Sequence, residues 1–317
     1  MVRGERVMKK ISILVPTFNE EENIKPLCAA LTNILSRKLT EYDYEILIID
    51  NYSTDRTREY ILELCAANRK IKSIFNAKNF GHIRSPYYGM LQTTGDCMIV
   101  MCADFQDPLE MIVDFVREWE KGYKIVIGRK KKSYENPLMY LLRSVYYKLI
   151  KRISDTEQVE HFTGFGLYDK MFLDVLRQLD DPMPYMRGIV AELGFARKEI
   201  EYTQQKRRSG VTKNNWYTLY DMAMLGITSY SKMVMRLATI SGFIIAGLSF
   251  AVAMYYLIMK LVYWDRFPLG TAPIIISIFF LGSIQLFFIG FLGEYILNIN
   301  TRVIKRPLVV EEKRINF

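Results

Sequence analysis

The stretch YEILIIDNYSTDRTREYILELCAA, residues 44–67, contains the unit that decides the fold. Its first part, Tyr44 to Asp50, is an isoleucine-rich apolar run that predicts a buried β-strand. A short polar segment follows, and the remainder has the length and composition of a helix, with Ser53 or Thr54 as its predicted start. A strand, a polar turn and a helix in that order form the repeating unit of α/β folds.

The same alternation continues along the first two hundred residues. Further strands are predicted at residues 11–16, 71–77, 97–104 and 124–128, and another helix is predicted to begin at Asp107-Pro108. Strict alternation of strand and helix predicts an α/β fold with a mostly parallel sheet that helices cover on both faces. Ligands of such sheets bind beyond the carboxyl ends of the strands. The polar residues at those ends are therefore the candidates for a functional site.

The composition limits the partners of the chain. The 317 residues are 50% hydrophobic and carry a formal net charge of +9, which fits nucleic acid, an anionic membrane surface or a phosphorylated ligand equally well. The four cysteines have no C-x-x-C spacing and only two histidines accompany them, so we expect reduced structural thiols and no zinc site. We expect no secretory signal, because the apolar run after Lys10 is short.

Two long uncharged runs occupy the carboxyl-terminal third, at residues 237–259 and 267–293. Each is long enough to span the hydrocarbon core of a bilayer, and the alternative is a buried helical hairpin in a soluble protein. Basic residues flank the two outer ends, whereas the connecting loop contains only Lys260 and Arg266. By the positive-inside rule, this charge distribution predicts two spans with both termini in the cytoplasm.

An apolar stripe precedes the first of these runs. Its residues, which recur at helical spacing, are Trp216, Leu219, Tyr220, Ala223 and Ile227. This pattern favours an amphipathic helix at the membrane surface over an ordinary core helix. We therefore predict a sheet-bearing domain over residues 1–205, a juxtamembrane segment over residues 206–235, and a two-span anchor with a cytoplasmic tail over residues 236–317.

Three strand ends supply the candidate site, at residues 16–20, 50–55 and 104–107. Neither the G-x-G-x-x-G turn of dinucleotide-binding folds nor a P-loop is present. Carboxylates beside a diphosphate repel it unless a divalent cation lies between them, and oxygen ligands such as Asp104 and Gln106 suit Mg²⁺ or Mn²⁺. A capped helix with solvated carboxylates is the alternative for residues 104–107 alone. The three strand ends together favour a site that binds a diphosphate through a divalent cation.

Several motifs resemble one family in order along the chain. They are ISILVPTFNEEENI (11–24), EILIIDNYSTDRT (45–57), NFGH (79–82), ADFQDPLEMI (103–112) and RRSGVTKNNW (207–216). They are similar to those of the inverting GT-A glycosyltransferases of family 2 that make polyisoprenyl-phosphate sugars, including bactoprenol glucosyltransferases and dolichol-phosphate mannose synthases. GEYI (293–296) and KRPLVV (305–310) resemble the two-span bacterial branch. The resemblance covers nearly the whole chain.

The resemblance implies a fold, an activity and a location. The fold would be a GT-A, Rossmann-like catalytic domain followed by two transmembrane helices. The enzyme would transfer a hexose from a UDP- or GDP-sugar to a polyisoprenyl phosphate such as undecaprenyl phosphate, with Mg²⁺ or Mn²⁺. It would be an integral protein of the inner membrane, with a cytoplasmic catalytic domain, supplying lipid-linked sugar for a cell envelope polysaccharide. A homotetramer is implied, and no nucleic-acid partner.

The resemblance also implies residue roles. The residues that would line the nucleotide base and ribose are Pro16, Phe18, Glu20 and Asp50. Asp104 and Gln106 would hold the metal on the diphosphate of the donor. Arg207 and Lys213 would contact phosphates of the donor or the acceptor. With these roles, the bound metal ion and the side chains of Arg207 and Lys213 would stabilise the negative charge that develops on the leaving diphosphate.

The chain departs from the family pattern at three places. Cys102 replaces an aspartate before Ala103-Asp104, and Asn51-Tyr52 replaces a frequent Asp-Gly. Where relatives often carry D-F-R, this chain has Gly164-Phe165-Gly166, so the carboxylate that is proposed there as general base and the arginine two residues later are both glycine. A phosphate monoester acceptor, whose second pKa is about 6, is already largely ionised at neutral pH and needs no base. A hydroxyl acceptor would need one. The residues that offer a substitute base are Glu160 and His161.

Two other functions compete with this interpretation. One is a glycosyltransferase that acts on a hydroxyl of a glycolipid or polysaccharide, because the segment 204–208, QQKRR, is similar to the Q-x-x-R-W motif of processive synthases without its tryptophan. The other is a non-enzymatic membrane scaffold or small flippase with a degenerate nucleotide domain. The predicted spans contain too little charge for an ion or headgroup path, and Asp50, Asp104 and Gln106 are retained, so the scaffold is disfavoured.

Overall fold

A computed structural model of the protein describes residues 8–132, 162–205, 216–231, 233–262, 271–304 and 306–317. These residues contain one eight-stranded sheet with helices on both faces, followed in the chain by long helices. The strands are β1 (Lys10–Thr17), β2 (Asp43–Asp50), β3 (Ile71–Asn76), β4 (Cys97–Val100), β5 (Ile125–Lys132), β6 (Phe162–Asp169), β7 (Arg197–Thr203) and β8 (Glu311–Ile315). Their order across the sheet is β7-β5-β6-β4-β1-β2-β3-β8, so β7 and β8 are its edges.

The sheet is mostly parallel. β1 pairs in parallel with β2 and β4, β2 pairs in parallel with β3, and β5 pairs in parallel with β7. Only β6 and β8 run antiparallel to their neighbours in this sheet. The central strands are buried on both faces, as β1 is from Ile11 to Val15, and this burial explains their continuous apolar sequences. The predicted α/β fold is confirmed, and all five predicted strands are present as β1 to β5.

Helices form a layer on each face of the sheet. The first layer consists of α1 (Ile24–Lys38), α2 (Thr57–Ala67) and α4 (Met111–Glu120), and the second consists of α3 (Gly81–Gln92), α5 (Lys170–Gln178) and α6 (Met186–Glu192). Each layer buries one apolar side of its helices, as α1 does with Leu27, Leu31 and Ile34 at helical spacing. The segments that connect strands to helices lie at the carboxyl ends of the parallel strands, and the candidate residues are in these segments.

Two helices begin later than the sequence predicts. α2 begins at Thr57, where the Asp55 carboxylate accepts the Thr57 backbone N–H at 3.0 Å. The predicted start residue Ser53 instead contacts the segment after β1. α4 begins at Met111 and not at Asp107-Pro108. In both cases the polar residue that resembles a helix cap has a partner far away in the sequence: Ser53 contacts Asn19, and Asp107 contacts Tyr202. The helix begins several residues after it.

Three helices follow the sheet-bearing part of the chain: α7 (Trp216–Tyr230), α8 (Met233–Val262) and α9 (Thr271–Val303). α7 packs on the end of α9, where the Asn298 side-chain amide donates to Thr228 Oγ1 at 2.9 Å. In the part of the chain that the structure describes, one helical stretch, Phe280–Val303, is long and apolar enough to cross a membrane by its length and composition. The second span and the three domain boundaries stay predictions.

After α9 the chain returns to the sheet. β8 pairs antiparallel to β3, with Lys313 opposite Phe75. The Asn316 side-chain amide donates to the carbonyl oxygens of Cys65 and Ile71, both at 2.8 Å. The sequence predicts a tail for these last residues, and the strand is a difference from that prediction. The strand closes the edge of the sheet next to β3.

Candidate active site

The segments that follow β1, β2 and β4 contain unusual backbone conformations. Among the described residues, four non-glycine residues have φ in the left-handed region, and three of them are Asn19, Tyr52 and Phe105, with φ of 54°, 70° and 57°. A left-handed conformation costs a non-glycine residue roughly 1–2 kcal/mol. Strain of this kind concentrates at functional sites. The strained positions coincide with the three strand ends that the sequence selects as the candidate site.

The ends of β1 and β2 are held together by hydrogen bonds. The Asn19 backbone N–H donates to Ser53 Oγ at 2.8 Å, and its side-chain Oδ1 accepts the Thr54 backbone N–H at 2.8 Å. The Glu20 backbone N–H donates to Thr57 Oγ1 at 2.8 Å. The four residues predicted to line the nucleotide lie on these two ends: Pro16, Phe18 and Glu20 are half-buried, and Asp50 is fully buried. The structure therefore brings this predicted group together.

The buried Asp50 carboxylate is paired with Arg58 of α2. The Arg58 Nε donates to Asp50 Oδ2 at 2.7 Å, and the Ser53 backbone N–H lies 3.2 Å from both carboxylate oxygens. The same guanidinium donates to Glu312 Oε2 of β8 at 2.9 Å and to the Asn76 carbonyl oxygen of β3 at 2.8 Å. Arg58 thus connects the candidate site to the edge strand β8. Sequence reasoning missed this residue because its partner Glu312 is 254 positions away.

The two carboxylates after β4 have different roles. Asp107 is buried, and the Tyr202 hydroxyl of β7 donates to its carboxylate at 2.6 Å. Burial raises the pKa of Asp107, while the Tyr202 hydrogen bond and the positive charge of Lys130 act in the opposite direction. Asp104 is half-buried, and its Oδ1 accepts the Gln106 backbone N–H at 3.2 Å. Asp107 therefore anchors the segment to β7, and Asp104 is the carboxylate that remains for a ligand.

The ends of β1, β4 and β5 converge around Cys102. The charges of Asp107, Asp104, Lys130 and Glu20 all act on the Cys102 thiol. Lys130 is half-buried near the end of β5, and no sequence motif marks it as a site residue. It adds a positive charge to an otherwise acidic group of side chains. The predicted metal ligand Asp104 and the predicted nucleotide residue Glu20 thus share one electrostatic environment.

Four predicted residues lie outside the described residues. They are the predicted catalytic Arg207 and Lys213 and the alternative bases Glu160 and His161. Their roles stay predictions. The segment that contains Arg207 and Lys213 follows β7 directly, and the Gln205 backbone N–H before it donates to the Gln106 carbonyl oxygen at 3.0 Å. The chain therefore enters this segment beside the predicted metal ligands.

Known proteins with a similar sequence decide the family. Residues 12–177, which include all three strand ends, match the family described as Glycosyl transferase family 2. The uncharacterized glycosyltransferase sll0501 of Synechocystis sp. is 31% identical over 301 residues, which cover 94% of this chain and 93% of the relative. The bactoprenol glucosyl transferase of Shigella phage SfII is 31% identical over 305 residues, covering 96% and 98%. The chain belongs to glycosyltransferase family 2.

Family membership confirms the predicted enzyme class and the GT-A-like fold. The protein is a glycosyltransferase. Among solved structures, mannosyl-3-phosphoglycerate synthase from Rubrobacter xylanophilus is similar, with a TM-score of 0.48 and 15% identity over 74% of this chain and 75% of that chain. The group of strand ends described above lies within the matched residues 12–177 and is the candidate site of this glycosyltransferase.

Asp104 and Gln106 fit a divalent cation that is bound jointly with a diphosphate. No group of three or more histidine, cysteine or acidic side chains in the described ranges could hold a metal by itself. Mg²⁺ commonly binds to one or two protein carboxylates and completes its shell with substrate phosphates and water. The Asp104 Oδ2 atom has no hydrogen-bond donor among the described residues. One carboxylate and one amide oxygen at a strand end are consistent with that mode of binding.

The backbone favours glycine at Gly164 and Gly166, the positions where the family resemblance implies a base and an arginine. Gly164 has a φ of 98°, which strains any other residue. At Gly166, a Cβ atom would lie 2.5 Å from the Val126 carbonyl oxygen of β5. Gly166 is opposite Val100 in the pairing of β6 with β4, so both glycines lie near the end of β4. A base at this position would need a different local backbone.

Proposed function

We propose that this glycosyltransferase transfers a hexose from a UDP- or GDP-linked sugar to a polyisoprenyl phosphate such as undecaprenyl phosphate, with inversion at the anomeric carbon. The observation that carries the proposal is the extent of the similarity to a bactoprenol glucosyl transferase, which covers 96% of this chain. It includes α8 and α9 as well as the sheet. The relative's name specifies glucose, so UDP-glucose is the first donor to test.

The donor site consists of the three strand ends. Pro16, Phe18, Glu20 and Asp50 bind the base and ribose. Asp104 and Gln106 hold Mg²⁺ or Mn²⁺ on the diphosphate, and the metal, when bound, supplies positive charge to the leaving group. Arg207 and Lys213 contact phosphates of the donor or acceptor. This assignment is supported by the convergence of Glu20, Asp104 and Lys130 on one place.

The acceptor is a phosphate because the site lacks a general base at the position that relatives use. Gly164 occupies that position, and its φ of 98° would strain a residue with a carboxylate side chain. A phosphate monoester with a second pKa of about 6 is largely a dianion at neutral pH and attacks without proton removal. A sugar hydroxyl would need a base. The missing carboxylate therefore favours a lipid phosphate over a hydroxyl acceptor, unless Glu160 or His161 supplies the base.

The enzyme is anchored in the membrane by α8 and α9, with the sheet and both termini on the cytoplasmic side. The start of α8 and the end of α9 lie together, since the Tyr295 hydroxyl donates to the Ser231 carbonyl oxygen at 2.6 Å. Two membrane crossings would place the residues before α8 and the residues after α9 on the same face of the membrane. The pairing of β8 with β3 agrees with this arrangement, because it returns the chain after α9 to the sheet. The homotetramer that the resemblance implies stays a prediction.

The test is a lipid-extraction assay with the purified full chain in detergent. Undecaprenyl phosphate, Mg²⁺ or Mn²⁺ and a panel of radiolabelled UDP- and GDP-sugars are supplied, with Asp104→Ala and the exposed α4 residue Asp114 changed to Ala as a matched control. We expect label from one donor in an organic-soluble, acid-labile product, lost in Asp104→Ala and retained in Asp114→Ala. Release of nucleotide without label in that product would indicate a hydroxyl acceptor, and wild-type rates in Asp104→Ala would refute the metal assignment.

A further inference from the structure

A cleft lies between the end of α9, the segment that joins α5 to α6, and the segment that leads into β8. Its volume is about 310 Å³, and its lining residues are Asp180, Pro182, Arg302, Arg306 and Pro307. Arg84, in the first turn of α3, reaches the same place, because its guanidinium donates to the Pro307 carbonyl oxygen. We call Arg84, Arg302 and Arg306 the arginine cluster. None of the three belongs to the donor site described above.

The positive charge of this cluster is only partly compensated. Arg302 pairs with Asp181 at 3.2 Å. Arg84 and Arg306 have no carboxylate partner among the described residues, and Asp180 lines the cleft without forming an ion pair with either of them. The buried Nε–H of Arg84 has no hydrogen-bond acceptor in the described part of the chain. A buried donor without an acceptor is costly, so this group is suited to an anionic ligand.

The two guanidiniums without a carboxylate partner lie close enough to repel each other. Burial lowers the pKa of Arg84, and the nearby charge of Arg306 lowers it further. The aromatic ring of Phe80 lies on one side of the Arg84 guanidinium, 5.6 Å from its central carbon. An anion between Arg84 and Arg306 would relieve the repulsion and accept the unused N–H.

The apolar surface beside the cluster indicates where the anion comes from. The last turns of α9 expose large apolar side chains, with Leu297, Ile299 and Val303 exposed to 60%, 59% and 70%. The arginines begin where this apolar surface ends, with Arg302 and Arg306. An exposed apolar helix that ends in basic residues is typical of the level at which hydrocarbon meets headgroups. The anions at that level are lipid phosphates.

We propose that the arginine cluster binds the headgroup phosphate of an anionic phospholipid, and this proposal rests on the membrane attachment proposed above. Guanidinium groups bind phosphate through paired, charge-assisted hydrogen bonds, and the Arg84 Nε–H supplies one such donor. Because Arg84 is on α3 of the sheet-bearing part and Arg306 follows α9, a phosphate between them joins the catalytic part to the bilayer. The contact orients the sheet relative to the membrane surface.

The test uses the purified full chain in detergent and three probes. Dihexanoyl-phosphatidylglycerol, dihexanoyl-phosphatidylcholine and inorganic phosphate are titrated separately, and binding is followed by the midpoint of thermal unfolding and by native mass spectrometry. The variants are Arg84→Gln with Arg306→Gln, Arg306→Gln alone in case the double variant fails to fold, and Arg69→Gln as a control that matches the single variant Arg306→Gln in charge. Arg69 is exposed after α2 and forms no contact with the cleft.

We expect phosphatidylglycerol to bind the wild type and the Arg69→Gln control equally, and to bind the double variant about tenfold more weakly. Phosphatidylcholine should have little effect. Equal binding of phosphatidylglycerol to the double variant would overturn the proposal. Equal stabilisation by inorganic phosphate at the same concentration would also overturn it, because the site would then bind a free anion.

The lipid-extraction assay on the same samples separates this proposal from the proposed function. A tenfold rise in KM for undecaprenyl phosphate in the double variant, with phosphatidylglycerol binding unchanged, would assign the cluster to the acceptor and overturn the phospholipid site. Absence of transfer in the wild type, with phosphatidylglycerol binding intact and sensitive to Arg84→Gln and Arg306→Gln, would refute the proposed function and support the phospholipid site.

Discussion

Replacement of Arg58 by methionine tests the connection between the sheet and the donor site. The Asp50 side chain is 0% exposed, whereas Arg58 is 25% exposed. Removal of one partner of a buried ion pair costs roughly 3–5 kcal/mol, because the remaining charge is buried and unpaired. Water reaches part of the Arg58 site, so the lower end applies, and we expect Arg58→Met to reduce the free energy of unfolding by about 3 kcal/mol.

Two matched changes give the scale for this effect. Glu312 is 53% exposed, so Glu312→Gln removes a surface contact of Arg58 and should cost less than about 1 kcal/mol. Arg56 is in the same segment, and its pair with Glu59 is 62% and 55% exposed. Arg56→Met should therefore change the free energy of unfolding far less than Arg58→Met does. Arg58→Met combined with Asp50→Asn should lose less than the sum of the single changes, because the buried charge is gone.

The assay is urea unfolding of the full chain in detergent, followed by tryptophan fluorescence, since Trp119 lies in the core against the sheet. Titration with UDP in the same samples measures the donor site. We expect Arg58→Met to weaken UDP binding more than Arg56→Met does, because Asp50 loses its orienting partner. Equal unfolding midpoints for Arg58→Met and Arg56→Met would refute the reasoning, as would full additivity with Asp50→Asn.

Three further changes have defined outcomes. Burial alone would raise the pKa of Glu45, but hydrogen bonds from Lys10 and its other partners lower it from 4.5 to about 2. Glu45→Gln should therefore cost about 3 kcal/mol at neutral pH in urea unfolding. That loss should shrink as the pH falls from 4.5 towards 2. A carboxyl group whose pKa is lowered by folding stabilises the fold at pH values above its unfolded-state pKa, and this stabilisation disappears as the folded carboxylate is protonated. Gly166→Ala should cost about 2 kcal/mol in the same assay, because its Cβ would lie 2.5 Å from a carbonyl oxygen of β5. Tyr202→Phe should cost about 2 kcal/mol and raise the pKa of Asp107 further, since the lost hydrogen bond lowers that pKa; NMR titration of Asp107 measures it.

The strands that sequence reasoning finds and misses differ in burial. β1 to β5 are predicted because most of them are buried on both faces and therefore consist of apolar runs. β8, with the sequence EEKRI, has four charged residues in five, and β7, with the sequence RKEIEYT, is also mostly polar. Edge strands are paired on one side only and carry charges that protect them from aggregation. β6 contains Gly164 and Gly166, which weaken any local strand signal. β6 is therefore defined by its pairing with β4 and β5 and not by its own sequence.

The candidate site is predictable to the extent that its residues are local to a strand end. Asp50 and Asp104 are found because parallel strands place their carboxyl ends at one edge. The separate role of Asp107 depends on Tyr202, 95 residues later, and no local pattern indicates that pair. Arg58 and Lys130 are ordinary basic residues in the sequence, and only the fold gives them buried or acidic neighbours.

The positions of β7 and β8 at opposite edges of the sheet explain how α7 to α9 are joined to the catalytic part. The chain leaves the sheet from one edge strand, β7, and after the helices re-enters it at the other, β8. A sheet attached at one edge can rotate about a single linker, whereas attachment at both edges opposes that rotation. Arg58 adds to this effect, because it joins β8 to the Asp50 carboxylate at the donor site. The carboxyl-terminal strand is therefore connected, through one guanidinium, to the residue that we propose for nucleotide binding.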